Sequence, residues 1–252
     1  MNGAGGNQGA EPAAAPAWGA AAPVRGLIFD FDGLMVDTES ATYHSWRELY
    51  ADHGQPLAVE EWVQCVGSDF GGFDPFDELE RRVGRSLPWD ELEPARVERA
   101  RQLDALMDAR PGVRERLAEA VGMGLPCAVA SSSPRSWVRP WLERLGVAEY
   151  FVHVCTKDDV ARVKPAPDLF LLAATRLGVE PLHALVFEDS LNGLRAAAAA
   201  GMRCIAVPGP ITAGLDFAAA VARLDTLADH RLERLLALAG ADPAAQRGGS
   251  RG

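Results

Sequence analysis

Two carboxylates, Asp30 and Asp32, stand one residue apart where the apolar run Leu27-Ile28-Phe29 meets Gly33. Acid groups this close repel each other unless a cation or a shared proton offsets the charge. A hard, oxygen-seeking ion such as Mg²⁺ is the simplest such cation. The same string also suits an ordinary strand exit, in which Asp and Gly serve turn chemistry. Three further stretches bear on that choice. Residues 126–134 form a second apolar approach that ends in the hydroxyls of Ser131, Ser132 and Ser133. Lys164 stands ahead of a helix start punctuated by Pro165 and Pro167. Residues 184–187 lead into the paired acids Glu188 and Asp189, followed by a helical pattern from Leu191.

The elements that must position these groups follow from periodicity. Strands are expected at 24–30, 127–131, 150–155, 184–188 and 203–207. Most are continuous apolar runs, as in a sheet covered on both faces. Helical spacing lies between them: Val113, Leu117, Ala120 and Val121 before the second strand, then Trp137, Trp141, Leu142 and Leu145 after it. The tryptophans read as packing residues. This alternation predicts an α/β fold with a doubly wound parallel sheet. Ligands bind such sheets beyond the carboxyl ends of the strands, where Asp30, Asp32, Glu188 and Asp189 fall.

The interval 38–110 breaks the alternation. Helices are expected at 40–52, 59–65, 76–83 and 93–109, and no strand. Val97, Ala100, Leu103 and Met107 give the last of these one apolar face. Arg110-Pro111-Gly112 ends the interval with a turn signal. The spacing predicts a helical cap, 38–110, inserted into a core made of 24–37 and 111–239. A single larger domain with extra surface helices is the alternative. Residues 1–23, rich in Ala, Gly and Pro, and residues 240–252 are expected to be a disordered leader and tail.

The chain has 252 residues and a net charge of −10, which argues against non-specific nucleic-acid binding. A local set of cations can still dominate one cleft. Cys65, Cys127, Cys155 and Cys204 are widely spaced, with no Cys-x-x-Cys, so they read as reduced core thiols of a cytoplasmic protein. No apolar run reaches the roughly 18 residues of a membrane helix. The leader has no basic residue before Arg25 and no Leu-rich centre, unlike a targeting signal.

Taken in order, the four acid, hydroxyl and lysine segments resemble the haloacid dehalogenase-like hydrolase superfamily. They are most similar to its branch of sugar-phosphate phosphatases and β-phosphoglucomutase, which carry an inserted helical cap. The resemblance runs from about residue 24 to about residue 210 and implies a role for each motif. Asp30 would be the nucleophile that forms an aspartyl-phosphate. Asp32 would be the acid for the leaving oxygen, then the base for water. Mg²⁺ would be held by Asp30, the backbone carbonyl of Asp32 and Asp189, with Glu188 acting through water or from behind. Ser131, the backbone N–H of Ser132, and Lys164 would hold the phosphate. Asn192 and Gly193 would shape the turn into the last motif's helix. Thr38 and Glu39 would lie at the hinge of a cap that selects the leaving group.

The implied function is Mg²⁺-dependent hydrolysis of a small phosphorylated metabolite, foremost a sugar phosphate, by a monomer or weak dimer. A mutase shares these core motifs. It would need a cap histidine where this chain has Thr42, and His44 is two residues further on. That departure favours hydrolysis. Dehalogenases of the superfamily lack the second aspartate, which is present here as Asp32. A non-catalytic protein on a retained fold is the reading from another class, and intact Asp30, Asp32, Ser131, Lys164 and Asp189 argue against it. His44, Arg47 and Arg81 read as exposed cap residues.

Overall fold

Six parallel strands form one sheet: β1 (Gly26–Phe29), β2 (Cys127–Ala130), β3 (Phe151–Cys155), β4 (Ala184–Glu188), β5 (Arg203–Ala206) and β6 (Ala222–Arg223), in the order β3-β2-β1-β4-β5-β6. The computed structural model describes residues 22–68, 72–105 and 107–240. β1 lies between β2 and β4, with Phe29 in register with Val129 and Phe187. The first and second acid motifs therefore end side by side. All residues of β1, β2 and β4 are buried, which is why they read as unbroken apolar runs.

Alternate side chains face opposite layers. Leu27, Phe29, Val129 and Phe187 join one cluster with residues of α5 (Val113–Gly122), α6 (Arg135–Arg144) and α9 (Leu232–Leu238). Ile28, Ala128 and Val186 join the other with α7 (Asp168–Leu177) and α8 (Leu191–Ala199). Phe29 and Phe187 stack with centroids 4.8 Å apart.

Between β1 and β2 run α1 (Thr38–Asp52), α2 (Val59–Trp62), α3 (Pro75–Val83) and α4 (Trp89–Asp104). They bury a third cluster around Trp46, Tyr50, Trp62 and Leu79. Arg96 of α4 lies over the Trp46 ring at 4.6 Å. No helix among the described residues is long and apolar enough to cross a membrane.

The boundaries differ from the sequence reading in instructive places. The first strand begins at Gly26 rather than 24, and Asp30, Ser131 and Val207 lie just beyond strand ends rather than within strands. The third strand begins at Phe151, one residue later than expected, and β6 was not expected at all. The helix expected at 93–109 spans Trp89–Asp104. Pro94, a residue that ordinarily opens a helix, lies inside it. The helix expected at 59–65 is α2 followed by turns through Ser68. Ala22 and Pro23, assigned to the leader, pack against the core. The Ala22 carbonyl accepts from Arg203 Nη2 at 2.8 Å, and the Pro23 carbonyl lies 2.7 Å from His183 Nδ1. Gly240, assigned to the tail, donates to the Ala237 carbonyl at 3.0 Å. Residues 1–21 and 241–252 lie outside the described residues.

Candidate active site

Asp30 follows β1 directly, and its backbone N–H donates to the Phe187 carbonyl at 3.0 Å. This bond ties the first motif to β4 and brings Asp30, Glu188 and Asp189 together. One carboxylate oxygen from each lies within 4.8 Å of the others, and all three residues are buried. Gly33 makes the approach possible: at φ 77° any Cβ there would fall 2.0 Å from Asp189 Oδ2. Arg110 clamps the same turn, donating to the carbonyls of Gly33, Val207 (3.1 Å) and Pro208 (2.8 Å). Sequence reading saw Arg110 only as part of a turn signal.

The electrostatics of this nest are those of acids short of cations. Burial pushes Asp30 up to about 8; Lys164 opposes the shift and Glu188 adds to it. Burial, Glu188 and Asp30 together push Asp189 well above the usual carboxylate range. Asp189 Oδ2 is buried with no hydrogen-bond partner. An all-oxygen donor set with one orphaned oxygen fits a hard divalent cation, which would favour the charged forms.

Glu188 is already engaged. Its Oε1 accepts from Lys164 Nζ at 2.8 Å, and its Oε2 accepts from the Ser190 N–H at 2.7 Å and Ser190 Oγ at 3.0 Å. It fastens Lys164 and the entry to α8. Gly193 leaves room for it, since a Cβ there would lie 1.6 Å from Glu188 Oε1. Lys164 is buried and also donates to Asp30 Oδ1. Burial opposes its charge, but Asp30 and Glu188 outweigh burial and raise its pKa above the ordinary lysine value.

Asp32 turns the other way. Its Oδ1 accepts from Thr38 Oγ1 and Trp137 Nε1, each at 2.8 Å. Its Oδ2 accepts from Ser133 Oγ at 2.6 Å and Ser131 Oγ at 3.3 Å. The carboxylate therefore stays outside the acid cluster, and any share of Asp32 in a metal site falls to its backbone carbonyl. From its helical spacing Trp137 is expected only to pack. Its ring does pack, 5.8 Å from Trp141, but its N–H serves Asp32. The sequence points to Thr38 only as a hinge residue, and to Ser133 only as part of a hydroxyl run.

Ser131 lies beside Asp32, and its Oγ accepts from the Ser133 N–H at 3.0 Å. The Ser132 hydroxyl is turned away to the Gly67 carbonyl at 3.1 Å. Asn192 Nδ2 holds the same loop by the Val66 carbonyl at 2.9 Å. Gly67 is bound to this position: its φ is 75°, and a Cβ would meet Ser190 Oγ at 2.2 Å.

Under the loop and the inserted helices lies a cavity of about 490 Å³, whose walls include Asp32, Glu39, Thr42, Asp104, Ser133 and Trp137. Glu39 is half-buried, and burial together with Asp32 and Asp30 pushes it up to about 8. Thr42 faces the cavity, whereas His44 is absent from its walls and has a buried Nδ1 without a partner. Arg47 and Arg81 are exposed, the latter paired with Glu78 at 2.5 Å.

Comparison with known proteins agrees with this arrangement. A profile of haloacid dehalogenase-like hydrolases matches residues 24–201. YhcW of Bacillus subtilis (strain 168) is 42% identical over 213 residues, 84% of this chain and 96% of that protein. The fructose-1-phosphate phosphatase YqaB of Escherichia coli (strain K12) is 33% identical over 196 residues, 72% of this chain and 95% of that protein. The crystal structure of a CbbY variant from Rhodobacter sphaeroides in complex with xylulose-(1,5)bisphosphate superposes with a TM-score of 0.64 at 32% identity, over 82% of this chain and 96% of that one. With the acids of β1 and β4 converging at one sheet edge and these likenesses spanning most of its length, the chain belongs to the haloacid dehalogenase-like hydrolase family.

Proposed function

We propose that this protein is a Mg²⁺-dependent phosphatase of a small phosphorylated metabolite, with sugar phosphates the leading class. One observation carries the reading: Asp30 lies against Lys164 and Asp189 with its carboxylate only slightly exposed, while Asp32, one residue on, faces a cavity large enough for a sugar. The names of YqaB and of the CbbY complex support a phosphorylated sugar as substrate.

The Asp30 carboxylate attacks phosphorus while the bond to the leaving oxygen breaks, and Asp32 passes a proton to that oxygen. Asp32 then removes a proton from water, whose oxygen takes the phosphoryl group and frees Asp30. Ser131, the Ser132 N–H and Lys164 hold the phosphoryl oxygens. Asp30, Asp189 and the Asp32 carbonyl would hold Mg²⁺, with Glu188 behind them. Once bound, the ion would neutralise charge on the phosphoryl group. Segment 38–110 acts as the cap that excludes water and selects the leaving group, over a core of 24–37 and 111–239. Thr42 on the cavity wall, with His44 away from it, favours hydrolysis over a mutase. Four buried cysteines outside any disulfide suit a reducing compartment such as the cytoplasm.

Phosphate release from a panel of sugar phosphates, with Mg²⁺ and with excess EDTA, tests the reading. Mg²⁺-dependent release is expected, and undiminished release in EDTA removes the assigned metal. With β-glucose 1-phosphate and trace glucose 1,6-bisphosphate, free phosphate should exceed glucose 6-phosphate. The reverse result identifies a mutase.

A further inference from the structure

A buried carboxylate with no partner is a standing cost to a fold and calls for a reason. Asp104 is such a group. It closes α4, is 3% exposed, and its Oδ1 is sealed without a hydrogen-bond partner. No described residue donates to either of its side-chain oxygens. Its place at a helix C-terminus adds to the cost, because that end of the helix dipole repels anions. Asp32 contributes further repulsion.

The nearby cation relieves it only in part, and gives its carboxylate no hydrogen bond. Arg144 Nη2 donates to the main-chain carbonyls of Asp104, Ala105 and Met107 at 3.2, 2.8 and 2.9 Å. The same guanidinium stacks over Trp141 at 4.3 Å. Burial pushes the Asp104 carboxyl up to about 7, against the pull of Arg144. Near neutral pH the group can therefore donate a hydrogen bond as well as accept one.

Asp104 shares the cavity wall with Asp32 and Trp137. Under the phosphatase reading Asp32 delivers its proton to the leaving oxygen, so this wall meets the leaving group and not the transferred phosphoryl. The same cavity is lined by cations, Arg96, Arg101 and Lys157, and by the further acids Glu39 and Glu93, so its wall does not call for a charged group of one sign at Asp104. A hydroxyl, which can both give and take a hydrogen bond, is the group that fits. We propose that Asp104 is a specificity residue that hydrogen-bonds a hydroxyl of the leaving group and so selects polyhydroxylated phosphate esters. This inference rests on the phosphatase reading of the same cavity.

The test uses the full chain with Asp104→Leu and Asp104→Asn. The substrates are p-nitrophenyl phosphate, which has no hydroxyl on its leaving group, and a panel of hexose, pentose and polyol monophosphates. On the hydroxylated ester that the wild type hydrolyses best, Asp104→Leu should raise KM about tenfold or more, the loss of one hydrogen bond to an ionisable group. Asp104→Asn should fall between the two. On p-nitrophenyl phosphate, kcat/KM should stay within about twofold. Asp104→Leu should also melt higher than the wild type, because it removes an uncompensated buried carboxyl. Equal losses on both substrate types, no loss on either, or a lower melting temperature overturns the assignment. If the wild type hydrolyses none of these esters, the phosphatase reading falls by itself. Calorimetric binding of the same sugar phosphates then decides: equal affinity for wild type and Asp104→Leu overturns the role of Asp104.

Discussion

On the strand side of the turn at Gly33, Asp30 shares a sealed nest with Lys164, Glu188 and Asp189, where its neighbours are ionisable. On the cavity side, Asp32 is held by Thr38, Ser131, Ser133 and Trp137, all neutral donors. The two aspartates are the same residue type in one short loop, yet their surroundings suit opposite tasks. Fixed charge around Asp30 suits a group that stays in place and meets phosphorus. Neutral donors around Asp32, three of them rotatable hydroxyls and one the fixed indole N–H of Trp137, suit a group that gives and takes a proton, because they can hold the carboxylate without locking a counter-charge onto it. Under the proposed mechanism, environment separates two carboxylates into two roles.

The largest effect should come from the charged side. Asp30→Asn should cut kcat by on the order of 10⁵-fold or more while leaving the melting curve cooperative, as loss of a nucleophile does. Normal phosphate release by this variant would collapse the contrast between the two sides. Asp32→Asn should cost about 10²–10⁴-fold in kcat, the usual share of a general acid. That loss should shrink for p-nitrophenyl phosphate, whose leaving group needs little protonation. A uniform loss across leaving groups would place the proton donor elsewhere.

Smaller effects sharpen the neutral side. Trp137→Phe keeps the ring and removes one donor to Asp32. A hydrogen bond to a charged group is worth about 1.5 kcal/mol at the low end, so kcat should fall about tenfold with KM little changed. A rise in KM alone would make Trp137 a wall of the cavity and nothing more. The smallest effect concerns Glu39, raised from 4.5 to about 8 by burial and its acidic neighbours. The folded chain holds that proton more tightly than the unfolded chain does. The stability it contributes is complete below about pH 4.5 and is lost as pH rises through about 8. In EDTA, the melting temperature should drop by about 3–5 °C between pH 7 and pH 9 from this group, a loss of about 1.4 kcal/mol. Glu39→Gln should make the slope shallower, leaving the part that Asp30, Asp104 and Asp189 contribute with the same sign, and an unchanged slope would remove Glu39 from it.

What the sequence disclosed and what it concealed follow the range of the forces involved. Asp30, Asp32, Glu188 and Asp189 were legible because each ends an apolar strand, and in a parallel sheet strand ends gather at one edge. Ser131 and Lys164 were legible only through the company of those acids. Trp137, Thr38 and Ser133 were not legible as donors to Asp32. The direction of that side chain is set by how the first turn of α6 and the start of α1 approach the sheet, which no local pattern encodes. Arg110 escaped notice for the same reason: its partners, Gly33, Val207 and Pro208, are distant in the chain. The start of α4 was misplaced because Pro94 mimics a helix opening. The two residues of β6 are too few to show a period.

The loop over the cavity has one more consequence. Asn192 and Ser132 grasp it by the carbonyls of Val66 and Gly67, groups that every residue type supplies. Only Gly67 is fixed by its own identity, through its φ and its closeness to Ser190. The latch is thus indifferent to the side chains it fastens. What holds Cys65 and Val66 to their side chains is the buried cluster of the inserted helices, not the latch, and only exposed Gln64 is free of both constraints.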